Sequence, residues 1–205
     1  MNRRSIVIAS ALLLTAGLST ASAQMVPRTR VGVLAGVNFA NLSGSDANGS
    51  SSRTGIVGGL SFDFHVAPHV GVEIDGLYSQ QGAKVDIGEN TKATLHLDYV
   101  QVPVLLRYRF PTHTTVHPFL AVGPQVGFRI KCEATLGSDS ESCQNTVGEN
   151  AKSTDFSGTA AAGLGFGFGK QEFSLQARYN MGFSKIFSDS NVKNKVFSVL
   201  AGLSF

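Results

Sequence analysis

Charged side chains recur at every second position in three neighbouring stretches of the chain, the spacing that places them on one face of a β-strand. If these stretches pair in chain order, the charged side chains converge near one end of a sheet, with Glu73 roughly across from Arg107. Two kinds of chemistry fit such a group: an ion path or small-ligand site, or a solid plug of charges that neutralise one another. We favour the plug, because an isolated buried charge costs several kcal/mol and must be paired. The six residues of this predicted charge cluster are Asp63, His65, Glu73, Asp75, Arg107 and Arg109.

Other residue sets that could do chemistry give weaker signals. His96 and Asp98 form a His-x-Asp pair, but no nucleophile, base and orienting group are spelled out together. The Gly-rich stretch 163–170 has glycines at alternate positions and lacks the spacing of a phosphate-binding loop. Histidines four residues apart, at 65/69 and 113/117, face a ligand together only on a helix. We therefore expect no catalysis, no cofactor and no metal site. A net charge of +3 spread along the chain also argues against a nucleic-acid partner.

The elements that position these residues follow from an alternation of period two. In residues 173–183 the odd positions, from Phe173 to Phe183, are apolar or aromatic, whereas Arg178 and its even-numbered neighbours are mostly polar. Such alternation gives a strand one apolar and one polar face. Arg129 and Arg178 are further cations on polar faces, predicted to be luminal. Eight stretches of this kind predict eight strands, at residues 31–39, 56–66, 70–78, 100–110, 118–130, 156–168, 173–183 and 197–205.

The predicted fold is all-β: an eight-stranded antiparallel up-and-down transmembrane barrel. Short and long connections alternate along the chain, and both chain ends fall on the short-turn side, which is the anatomy of such a barrel. The apolar face carries aromatic residues near both of its ends, as expected at the two interfaces of a bilayer. The polar face is rich in small residues and suits a narrow lumen. The alternative is a secreted lipocalin-like barrel or β-sandwich, which turns its apolar faces inward.

The chain begins with a predicted signal peptide, residues 1–23. Arg3 and Arg4 precede an apolar core, and a small-x-small cleavage site ends at Ala23. Residues 24–205 are then the barrel domain of an exported protein, and no later apolar run approaches the ~20 residues of a membrane helix. Export allows a disulfide between Cys132 and Cys143, the two cysteines of the chain. We favour it over a metal site, because no third ligand lies at suitable spacing.

Four motifs resemble the PorT-like outer-membrane β-barrel family of Gram-negative bacteria: VGVLAGVNFANLS at 31–43, VEIDGLYSQQG at 72–82, DYVQVPVLLRY at 98–108 and PFLAVGP at 118–124. The resemblance covers essentially the whole of residues 24–205. It implies a small barrel of the OmpX/OmpA kind in the cell outer membrane, with a terminal strand ending at Phe205 that is read by the barrel-insertion machinery. Members of this family mostly have no assigned activity, so no catalytic residue is carried over. The predicted disulfide loop departs from the family pattern.

These observations predict a structural or surface-interaction role for an outer-membrane barrel whose polar lumen is filled by side chains. The expected partners are outer-membrane lipid, the insertion machinery and an extracellular partner bound through the long loops. A lipid-modifying enzyme of the outer membrane or a narrow channel is the alternative function.

Overall fold

The computed structural model describes residues 29–43, 50–86, 92–136, 139–142, 153–183 and 193–205. The predicted signal peptide lies outside these residues. Within them no helix is long and apolar enough to cross a membrane. The described strands are β1 (Thr29–Ser43), β2 (Ser50–Ala67), β3 (Val70–Asp86), β4 (Lys92–Arg109), β5 (Val116–Leu136), β6 (Asp139–Ser142), β7 (Thr154–Phe168), β8 (Gln171–Gly182) and β9 (Lys193–Ser204).

Eight of these strands close into an antiparallel barrel. β1 pairs with β9, and β5 pairs with both β4 and β7, while the short β6 forms a hairpin on the end of β5. At the seam the backbone N–H of Phe205 donates to Val31 O at 2.9 Å, and the N–H of Val31 donates to Phe205 O at 3.3 Å. Closure satisfies the backbone polar groups, which is what strands need in lipid. The predicted eight-stranded up-and-down barrel is confirmed.

The apolar face of the strands points away from the lumen. On β5, Val122 is 61% exposed whereas its neighbour Ala121 is 4% exposed. On β2 the same contrast separates Ile56 from Val57. A lipocalin-like barrel has the opposite arrangement, with its apolar residues inside. An apolar exterior of this kind suits a lipid environment, so the secreted alternative is wrong.

Two bands of aromatic side chains border this exterior. At the long-loop end, the rings of Phe39 and Phe197 stack with centroids 6.3 Å apart. At the short-turn end, Tyr108 and Phe110 meet edge to face at 5.1 Å. Aromatic rings at two levels of the exterior mark where a barrel crosses the interfaces of a bilayer. The long-loop girdle comprises Phe39, Tyr78, Phe128, Phe156, Phe183 and Phe197, and all six are exposed.

Strands β2 to β5 continue beyond the limits that the alternation predicts, namely residues 56, 78, 100 and 130. The sequence predicts long loops there, because the alternation of apolar and polar residues stops. Pairing nevertheless continues, for example between Lys84 and Thr94, and between Leu136 and Asp139 of β6. Above the girdle the outward side chains meet water rather than lipid, so the backbone can stay paired without an apolar face. One side of the barrel therefore rises as a sheet above the bilayer.

Candidate functional site: a luminal ion network

A group of six charged residues occupies inward-facing positions on four strands. β2 supplies one carboxylate and β3 two, while β4 supplies two guanidinium groups and β8 one. The alternation of each strand explains this placement, because every second residue faces the lumen. The members of this luminal ion network are Asp63, Glu73, Asp75, Arg107, Arg109 and Arg178.

Arg178 crosses the lumen. Its Nη1 donates to Asp75 Oδ2 at 2.6 Å and its Nη2 to Glu73 Oε1 at 2.7 Å. A bond from Nε to Gln176 Oε1, at 3.3 Å, orients the guanidinium. Three strands separate β8 from β3 in either direction around the barrel, so these two bonds connect opposite walls. A planar guanidinium holding two carboxylates is a rigid link, and it occupies the lumen at this depth.

Arg107 links two of the carboxylates, those of Glu73 and Asp63. It pairs with Glu73, and its Nη1 lies 3.3 Å from Asp63 Oδ2. The guanidinium carbon also lies 4.2 Å from the ring centroid of Phe119, a buried side chain of β5. This cation–π contact adds attraction where water is excluded. Arg107 is thus held from β2, β3 and β5 together.

The network ends at the short-turn mouth of the barrel. Arg109 pairs with Asp63, and its Nη1 lies 2.9 Å from His65 Nε2. His65 Nδ1 lies 3.7 Å from Asp63 Oδ1. Five of the six residues of the predicted charge cluster thus join Arg178 in one set of ion pairs, with His65 at its edge.

The network balances its charge. Three guanidinium groups face three carboxylates, and five of the six residues are no more than 6% exposed. Burying charges carries a desolvation penalty that only close partners offset. In this network every charge has at least one partner of opposite sign. The arrangement therefore fits a closed plug better than a path with free charges.

The register of β3 and β4 differs from the predicted one. Arg107 lies opposite Gly71, and Glu73 lies opposite Leu105, rather than Glu73 lying across from Arg107. The two side chains still meet, because residues on neighbouring diagonals of one sheet face are within reach of a long side chain. Sequence reasoning placed Arg178 in the lumen but missed its bonds to the cluster, since nothing local joins residues of β8 to those of β3.

An apolar layer lies next to the network in the lumen. Leu34, Val57, Leu77 and Leu200 form one buried cluster, and Leu77 is the next inward residue after Asp75 on β3. A second buried cluster comprises Leu105, Ala121 and Ala161. The side-chain-filled lumen is therefore not polar at every depth, because small and apolar residues at inward positions pack together beside the charges.

Neutral polar groups line much of the long-loop half of the lumen. Asn38 Nδ2 donates to Ser79 Oγ at 2.8 Å, and Ser198 Oγ donates to Asn38 Oδ1 at 2.7 Å. Closer to the long loops, Asn194 Nδ2 donates to the hydroxyl of Tyr99 at 3.3 Å, and Tyr99 is only 2% exposed. Hydrogen-bonded polar pairs of this kind fill space without leaving charge unpaired.

The remaining predicted residues lie away from the network. Arg129 lies opposite Tyr99 in the ladder of β4 and β5, in the long-loop half of the barrel. Cys132 lies opposite Leu97. Cys143 lies outside the described residues, so the disulfide stays a prediction.

The His-x-Asp pair of β4 lies at the long-loop end. His96 lies opposite Gly82 and Glu133 in the two ladders of β4. The carboxylate of Asp98 accepts a hydrogen bond from the Tyr78 hydroxyl at 2.8 Å. Among the described residues, no group of three or more His, Cys, Asp or Glu side chains is placed to hold a metal ion.

Comparison with known proteins agrees with this geometry. A family model described as an outer membrane protein beta-barrel domain matches residues 21–188. Among solved structures, Neisserial surface protein A shares 17% identity over 85% of this chain and 97% of its own, with a TM-score of 0.51. OprG from Pseudomonas aeruginosa shares 14% identity over 87% of this chain and 97% of its own, with a TM-score of 0.48. Ail of Yersinia pestis shares 20% over 87% and 99%, with a TM-score of 0.46. At 17% identity, the likeness to Neisserial surface protein A supports a shared fold and does not extend to a shared role. No curated protein matches the chain.

Proposed function

Because this chain belongs to the outer membrane protein β-barrel family and resides in the outer membrane, we propose that it acts there as a closed, non-catalytic barrel presenting an extracellular sheet. Its role is then a structural role or a role in surface interaction, and not one in transport. Within the family, the motifs of β1, β3, β4 and β5 favour the PorT-like branch.

The luminal ion network is the observation that carries the closed-barrel proposal. Arg178 connects opposite walls, and the apolar layer beside it contains Leu34, Leu77 and Leu200. An ion crossing the lumen must displace paired charges and then pass an apolar constriction without water. Both steps are costly, and the interior of an eight-stranded barrel is narrow enough for side chains to fill.

The sheet above the long-loop girdle supports an interactive role. β5 continues past its girdle residue Phe128 to Leu136 and is extended by the β6 hairpin. A paired sheet holds its surface in a fixed shape, which reduces the entropy cost of binding a partner. The proposed contacts are bilayer lipid around the apolar band, the insertion machinery at the strand ending in Phe205, and an extracellular partner on this sheet. No cofactor or nucleic acid takes part.

Planar-bilayer recording tests the closed lumen. The refolded wild-type barrel is expected to show no large, steady conductance, because side chains fill its lumen at every depth described above. A general porin inserted under the same conditions provides the positive control. A steady, salt-dependent current from the wild-type barrel would make the channel alternative the better account.

Epitope accessibility on intact cells tests which end presents the sheet. A short tag inserted between β5 and β6 is expected to bind antibody on whole cells. The same tag in the turn at Gly169 and Lys170, between β7 and β8, is expected to bind only after the outer membrane is permeabilised. The reverse result would place the extended sheet in the periplasm and remove the support for an extracellular partner.

A further inference from the structure

Two adjoining cavities open at the short-turn mouth of the barrel, which faces the periplasm in this family's topology. Their volumes are about 560 and 290 Å³. The walls come from the start of β1, the start of β8 and the connections that follow β2, β4 and β7. The two cavities share four of their lining residues, namely Arg30, Thr112, His117 and Glu172.

The lining of this periplasmic mouth is rich in groups that are cationic or become so on protonation. Arg30 and Arg109 contribute guanidinium groups, while Glu172 is the one carboxylate among the residues lining the two cavities. Four of the five histidines of the chain line it as well. These are His65, His69, His113 and His117.

Arg30 and Glu172 form an ion pair across the barrel seam, from β1 to β8. The two partners are unequal, because the Glu172 side chain is 8% exposed and that of Arg30 is 28% exposed. Gly165 leaves the space for the buried carboxylate, since a Cβ there would meet Glu172 Oε1 at 3.0 Å. The buried carboxylate of Glu172 thus pairs with Arg30, while the guanidinium of Arg30 remains accessible from the cavities.

We propose that the periplasmic mouth binds a small ligand bearing a phosphate or carboxylate group, with Arg30 as the principal cation and Glu172 as an internal competitor. Guanidinium groups bind such oxyanions through two parallel hydrogen bonds. At the shared wall, His117 Nδ1 lies 3.0 Å from Thr112 Oγ1, which holds the imidazole in place. This proposal is independent of whether the lumen conducts.

Imidazole NMR signals of the refolded barrel in detergent micelles test the proposal. Inorganic phosphate and the dipeptide Glu-Glu are titrated separately, so that a free ion and a peptide carboxylate can be told apart. Either anion is expected to shift the signals of the mouth histidines in a saturable way. His96, at the opposite end of the barrel, is the internal control and is expected to stay unshifted.

Two substitutions with opposite expected signs separate a binding site from a merely structural ion pair. Arg30→Gln is expected to weaken anion affinity by about tenfold or more, equivalent to about 1.4 kcal/mol. Glu172→Gln is expected to strengthen it by about tenfold, because it frees Arg30 from its internal partner. Lys170→Gln is the matched control, since this cation lies between two lining residues without lining either cavity. Its affinity is expected to stay within about twofold of the wild type, because direct contact rather than general charge binds the anion.

Three results would overturn the proposal: no saturable shift with either anion, equal shifts at His96, or weakened affinity in Glu172→Gln. Each variant is first checked for the gel-mobility shift of a folded barrel between unboiled and boiled samples. If a variant does not fold, the wild-type titration against the His96 control still decides between binding and no binding.

Discussion

Val122→Arg is expected to lower the free energy of unfolding by about 2–4 kcal/mol, because it places a guanidinium on the lipid face near the middle of the bilayer. Ile130→Arg, on the same face of β5 but beyond the girdle residue Phe128, is expected to cost at most about 1 kcal/mol. The two wild-type side chains are equally open, at 61% and 59% exposed. Depth in the bilayer is therefore what distinguishes the two substitutions.

Urea unfolding of the barrel in lipid vesicles measures this difference. The chain contains no tryptophan, so unfolding is followed by the mobility of unboiled samples on gels. Val122→Leu is the matched control, because it changes the side chain without adding charge. Equal and small effects of the two arginines would mean that this face of β5 does not meet lipid at the depth of Val122.

Arg178→Met is expected to destabilise the barrel by about 3–5 kcal/mol, which is the range for removing one partner of a buried ion pair. The substitution removes the guanidinium that holds Asp75 and one of the two that hold Glu73. Asp75 is 1% exposed and would be left as a buried charge without its cation. The loss of the link between β8 and β3 also removes a contact across the lumen.

Removing the unpaired Asp75 carboxylate is expected to recover much of the stability that Arg178→Met loses. Arg178→Met combined with Asp75→Leu is expected to be more stable than Arg178→Met alone, because an apolar pair replaces an unpaired charge. Lys195→Met, on the neighbouring strand β9, removes an exposed cation and is expected to change stability by no more than about 0.5 kcal/mol. If Arg178→Met were as mild as this control, the network would not stabilise the closed barrel.

Much of the fold could be predicted because lipid imposes a local pattern. Each strand shows its outward face through residues such as Phe197, Val199 and Leu203, and this signal needs no knowledge of the partner strand. The strand ends could not be predicted in the same way. Beyond the girdle, pairs such as Lys84 and Thr94 depend on the neighbouring strand, because water accepts either kind of side chain on the outward face.

The sequence by itself determined which residues face the lumen and which face lipid, and hence the membership of the charge cluster. Only the tertiary structure decided which of these charged side chains form ion pairs with one another. Arg178 meets Asp75 and Glu73 from 103 and 105 residues away, because barrel closure places β8 opposite β3. The periplasmic mouth has the same origin: Arg30 and Glu172 lie 142 residues apart and meet where the first strand and the last hairpin close the seam. Alternation is a property of one strand, whereas pairing across a lumen depends on the strand number and register of the whole barrel.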